Sequence, residues 1–235
     1  MGYTRIRQGY GRIKRSEKQK KGDIEFMLDK VNENNQVTII GEVDSKFVFS
    51  HAVFGEGFYM VDVLVKRFDN YNDRIPLMIS ERLIDVQKDY TGEYIGVTGQ
   101  IQSYNQNKEH KNRIDLSVFV REISFVKRES DETKTNIIFL DGCVCKRPIY
   151  RKTSSGKEIT ELILAVNRPY GKSDYIPCFC QGLNARFASG FCVGEHVQAL
   201  GRIQSREYVK QLTAKETEKR TTYTVSISKL ECVID

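Results

Sequence analysis

Between Arg168 and Phe179 the chain interleaves rings with cations: Arg168, Tyr170, Lys172, Tyr175 and Phe179, with Arg202, Arg206 and Tyr208 further along. Flat aromatic side chains beside Lys and Arg suit one chemistry in particular. Unpaired bases expose π-faces on which a ring can stack, and the cations neutralise the phosphates between them. Each stacked base contributes on the order of 1–3 kcal/mol, and such a site tolerates any sequence because every base has a π-face. Taken singly, a Tyr or Arg at a surface is ordinary; their co-location makes them a candidate single-strand nucleic-acid site.

Rival chemistries find less support. The run "YGKS", Tyr170 to Ser173, ends like a phosphate-binding P-loop, but Val166 stands where the opening glycine belongs, and the segment joins two strands instead of opening a helix. Cys143 with Cys145 and Cys178 with Cys180 form two C-x-C pairs. Zinc sites favour turns that make ligands converge, whereas these pairs lie along strands and are expected on opposite faces. His51, His110 and His196 occur apart, without a nucleophile or a paired metal ligand beside them. No clustered carboxylates of the kind that hold catalytic metal ions are recognisable. The sequence implies neither an enzyme nor a cofactor nor a metal.

Positioning these rings requires a sheet. Apolar residues alternate in runs rich in Val, Ile, Thr, Tyr and Phe, which predicts strands near 36–46, 57–67, 74–80, 93–103 and 113–126, and again near 137–147, 158–168, 174–182, 195–205 and 222–232. Along 174–182 the period of two puts Tyr175 and Phe179 on one face and Ile176, Cys178 and Cys180 on the other, assigned to the core. Helical patches, "ERLIDVQKD" and "LNARFASG", fall between the third and fourth strands of each set. The two sets are one pattern stated twice. Asn35, Gly41, Val43, Arg67, Asp73 and Ile75-Pro76 recur 101 residues later, and Gly92, Gly99, Ile101 and Ser103 recur 102 later, the last three within "GQIQS" and "GRIQS". The expected fold class is all-β: two tandem OB-fold, five-stranded Greek-key barrels, each with a short helix between strands 3 and 4.

The expected domains are a flexible basic arm (1–22), a first barrel (23–128) opening on a short docking helix in "DIEFMLDKVNEN", a polar linker (129–135) and a second barrel (136–235). The arm holds eight Lys and Arg against one Glu, residues 23–135 hold 14 basic and 20 acidic groups, and residues 136–235 hold 15 and 10. A polyanion should prefer the second copy and the arm. No apolar stretch approaches a membrane span, the basic start lacks a signal-peptide core, and all six cysteines fall in the second copy, so the first folds without any. A soluble protein of the reducing cytosol is expected.

The second copy, in "RKTSSGKEITELILAVNRPYGKSDYIPCFCQGLNAR" and "ALGRIQSREY", resembles the bacterial single-stranded DNA-binding protein family (SSB), across essentially all of 136–233. The resemblance implies an OB-fold that binds and protects single-stranded DNA during replication, recombination or repair, and it carries the stacking role onto Tyr170, Tyr175 and Tyr208. Four barrels would assemble as a homodimer of this two-barrel form. Gln181 stands where the family often has Trp or Phe, and the chain holds no Trp, so stacking would shift to Phe179. The chain stops at "ECVID" without the acidic tail through which family members recruit replication and repair proteins. In the first copy Asp69, Arg74 and Tyr104 replace Tyr170, Tyr175 and Arg206, with Phe68 and Tyr71 near enough to substitute by a small shift of the hairpin; the copy's net negative charge suggests a structural or dimer-forming part with weaker strand contact. Alternatives are an RNA-binding OB protein and a protein-interaction module of a replication complex.

Overall fold

In the computed structural model, residues 34–67, 71–106, 113–128, 134–168, 171–211 and 217–233 are described. The expected basic arm and docking helix lie outside them. Among the described residues twelve strands follow in order: β1 (Asn35–Val43), β2 (Val48–Val53), β3 (Glu56–Lys66), β4 (Asn72–Ser80), β5 (Tyr94–Gln106), β6 (Arg113–Phe125), then β7 (Asn136–Val144), β8 (Ile149–Lys152), β9 (Glu158–Asn167), β10 (Ser173–Gln181), β11 (His196–Gln211) and β12 (Thr217–Cys232). In the first half β1 and β2 both pair with β3 as one bent strand, β3 continues to β4, β4 runs parallel to β6, and β6 returns through β5 to β1. That circuit closes a five-stranded barrel, and β7 to β12 repeat it. Strict alternation drives closure. In β7, "NIIFLDGCV", every second residue is buried, and Ile138 and Leu140 join Leu164, Ile176 and Ile203 in a core without solvent access to speak of.

The recurring glycines have steric reasons. A Cβ at Gly41 or Gly142 would sit 2.7 or 2.6 Å from a carbonyl oxygen of the crossing strand, Leu64 or Ala165. At Gly99 and Gly201 it would come within 2.1 and 2.3 Å of the Phe119 and Ser226 carbonyls, at the points where the β5–β6 and β11–β12 registers slip. Asn35 and Asn136 secure the same strands: each side chain accepts from and donates to the backbone of Ile101 or Ile203, at 2.7–3.0 Å.

The helix expected between the third and fourth strands appears only in the second half, as α1 (Leu183–Ala188), with Ala185 and Ala188 buried and the Ala185 carbonyl accepting from Thr160 Oγ1 at 2.7 Å. The counterpart "ERLIDVQKD" is corrected to consecutive turns. Asp85 and Asp89 accept from the amides of Gln87 and Thr91 two residues on, and this local capture of backbone donors competes with helix. No helix among the described residues is long and apolar enough to cross a membrane.

The two barrels share one sheet through β1 and β7, antiparallel, with Val37 opposite Ile138 and Asn35 opposite Leu140. Under the 101-residue repeat Ile138 is the equivalent of Val37, so the pairing is symmetric about those two residues, and a pseudo-two-fold axis relates the barrels.

Candidate nucleic-acid interface

The repeated "IQS" ends the barrels' separateness. Asp73, fully buried at the start of β4, accepts from Arg67 Nε (3.1 Å) and Nη2 and from the Ser205 amide of the other barrel (2.8 Å), while Ser205 Oγ accepts from the Arg74 amide at 3.0 Å. The mirror image holds on the other side. Asp174 takes both Nε and Nη2 of Arg168 and the Ser103 amide (2.5 Å), and Ser103 Oγ accepts from the Tyr175 amide at 3.0 Å. Asp174's hydrogen bond pushes the Arg168 pKa further up, with burial opposing it. Thus each β-hairpin, β3–β4 and β9–β10, is fastened across the pseudo-axis onto a central strand of the other barrel.

This arrangement opens a cleft of about 970 Å³ between the outer face of the second barrel and the β3–β4 hairpin of the first. Phe179 and Arg206 line it from β10 and β11, Lys146, Arg147 and Arg151 from the β7–β8 segment, and Tyr71 from the first barrel. Lys146, Arg147 and Arg206 are exposed and make no ion pair among the described residues, while Arg151 is held by Glu161 at 2.6 Å. Cations without such partners beside a half-buried ring are suited to a polyanion carrying flat bases. At the corresponding positions the first barrel has Ser45, Lys46 and Ser50, and Met78, buried, in place of Phe179.

The residues named from sequence divide four ways. Phe179 and Arg206 meet in the cleft. Tyr175 and Tyr208 are open to solvent, 44% and 40% exposed, but outside its lining: Tyr175, with exposed Lys172, sits on the hairpin that reaches β5 of the first barrel, and Tyr208 stands opposite Arg220 on the β11–β12 arm. Arg168 and Arg202 are engaged internally, Arg168 by Asp174 and Arg202 by Asp73 at 3.4 Å and the Lys66 carbonyl at 3.3 Å. Tyr170 lies outside the described residues. The sequence reading left out Lys146, Arg147 and Arg151, although "CKRPIYRK" announces them as a basic run with a ring; strand periodicity drew attention to the strands flanking it. As parity predicted, Ile176, Cys178 and Cys180 face the core, and burial pushes the Cys180 thiol up to about 12 and that of Cys178 well above its usual value.

Two closed five-stranded barrels with a cation- and ring-lined cleft define a tandem OB-fold protein. Residues 135–233 match the single-strand binding protein family. Among solved structures it is similar to the wild-type single-stranded DNA binding protein from Thermus aquaticus, at 18% identity and a TM-score of 0.65 over 86% of this chain and 93% of that one. A deletion mutant of the same Thermus aquaticus protein matches with the same identity and TM-score, covering 95% of that chain. The N-terminal domain of a PriB protein from Thermoanaerobacter tencongensis matches at 35% identity over 41% of this chain and all of that one, with a TM-score of 0.35. No curated protein matches.

Proposed function

We propose that this protein binds single-stranded DNA without sequence preference, principally on the second barrel, and protects it in the cytoplasm during replication, recombination or repair. The observation that carries the reading is the cleft: Phe179 beside Lys146, Arg147 and Arg206, cations without ion-pair partners among the described residues, within the domain that matches the single-strand binding family. Tyr175 and Tyr208 extend the stacking surface along the β9–β10 hairpin and the β11–β12 arm, and Tyr170 is assigned to it by family resemblance. No bond is made or broken. Ring stacking supplies affinity that is indifferent to base identity, and phosphate neutralisation supplies affinity that falls with salt.

Fluorescence anisotropy with labelled oligo-dT across a salt series tests this. Binding should weaken linearly in log–log form. Changing both Lys146 and Arg147 to Ala should reduce the slope by about 1.4, since each phosphate contact on a single strand contributes about 0.7. Absence of binding at low salt would refute the reading and favour the protein-interaction alternative. Matched oligo-dT and oligo-rU decide between DNA and RNA. By the same family resemblance two chains pair to present four barrels, which light scattering with and without poly-dT would check.

A further inference from the structure

We infer that the groove of the second barrel is a shared site in which Tyr71, from the first barrel, supplies a base-stacking ring; this rests on the reading that single-stranded DNA occupies the cleft. Tyr71 belongs to the acidic copy, whose own equivalent face offers a buried Met78 where Phe179 stands in the other. The structure, however, places it in the lining of the same cleft as Phe179, 67% exposed, together with Lys146 and Arg147.

Its position is fixed. The Arg67 amide donates to the Tyr71 carbonyl at 2.8 Å and closes the hairpin's end. Two residues on, buried Asp73 ties the hairpin to β11 of the second barrel through the Ser205 amide, and the Arg74 amide adds the bond to Ser205 Oγ. A ring carried on a hairpin clamped at its base to the opposite barrel keeps its place relative to Phe179, which preorganised stacking requires. Under the internal repeat Tyr71 corresponds to Lys172, so the exchange is unequal. The first barrel hands a ring to the second groove, and the second hands a cation back. A strand stacked on Phe179 therefore has its next platform on the neighbouring barrel.

The chain contains no Trp, so Tyr71→Trp installs a sole indole at the site in the otherwise intact protein. Its emission should be quenched as oligo-dT is added, in step with anisotropy of the labelled oligonucleotide. Binding reported by anisotropy with unchanged indole emission would overturn the inference while leaving the DNA reading intact; no binding by either signal, in the variant and the unaltered protein alike, would overturn both. In parallel, Tyr71→Ala should weaken oligo-dT binding roughly tenfold with an unaltered salt slope, and Tyr71→Phe should retain affinity, as stacking rather than charge is lost. Equal affinity for Tyr71→Ala and the unaltered protein would count against a stacking role.

Discussion

Asp73 and Asp174 are carboxylates at 0% and 1% exposure, each satisfied by an arginine of its own barrel and a backbone amide of the other. Removing one member of such a pair deprives the other of its charge partner, leaving Asp174 only its bonds from Ser103 and Arg168 only the Ser103 carbonyl, at a cost of about 3–5 kcal/mol. Asp174→Ala should therefore lower the urea midpoint of unfolding by that equivalent, and Arg168→Ala should do similarly; a loss below about 1 kcal/mol would show that the clasp is not structural. The same residues mark where sequence reading reached its limit. That Arg, Asp and Ser recur at fixed spacing was plain, but their bonds run between copies, from Ser103 to Asp174 and from Ser205 to Asp73, and no within-copy argument brings together residues separated by a barrel. Read within one copy, Arg168 is a candidate phosphate ligand; across copies it is the partner of Asp174. The thiols were more legible, because alternation along β10 alone puts Cys178 and Cys180 inside. Burial raises their pKa, so little thiolate forms at mildly alkaline pH, and alkylation at about pH 8 should label the exposed Cys192 and Cys232 in the native protein while sparing Cys178 and Cys180 until denaturant is added. Labelling of Cys180 at the rate of Cys232, read by peptide mass, would contradict the assigned core.

At the level of elements, the barrel strands followed from periodicity, and the departures have specific causes. β11 and β12 run to Gln211 and from Thr217, well past the apolar alternation, because from Arg206 outward the arm leaves the barrel and its residues meet solvent. A pattern read by burial stops where burial stops. The helix expected in the first copy failed for the opposite reason: its apolar spacing was helical, but Asp85 and Asp89 recruit nearby amides into turns. Gly41 and Gly99, by contrast, recur as Gly142 and Gly201, since in each copy a crossing strand's carbonyl leaves no room for a side chain. At Gly201 a methyl group would lie 2.3 Å from the Ser226 carbonyl, a backbone atom that cannot move aside without disturbing the slipped register. Gly201→Ala should cost about 1–3 kcal/mol, the usual penalty for overpacking, with oligo-dT affinity per folded molecule changing less than stability. A urea midpoint equal to that of the unaltered protein would mean that the bulge is free to relax.

The whole molecule behaves as a dimer written in one chain, and that has a consequence for its halves. β1–β7 pairing is symmetric about Val37 and Ile138, so β7 is complementary to itself: a second β7 can lie antiparallel to the first with Ile138 opposite Ile138 and Asn136 opposite Leu140. The clasps are self-complementary too. The second barrel owns both an Asp174 and a Ser205, the two halves of the fastening that in the intact chain are drawn from different barrels. Residues 134–233 close a barrel of their own around Ile138, Leu140, Leu164, Ile176 and Ile203, but without the first copy they would present the β7 edge, with its unpaired amides and carbonyls, to solvent. Such an edge seeks a strand, and here a matching one is always available. Expressed alone, residues 134–235 should sediment as a dimer at micromolar concentration, and Asp174→Ala in that fragment should shift it toward monomer by removing both clasps at once. In the fragment dimer Lys172 replaces Tyr71 beside each groove, so its oligo-dT binding should lose the contribution of that ring. A monomeric fragment with intact secondary structure by circular dichroism would show that the tether between barrels, and not the self-complementary edge, is what brings them together.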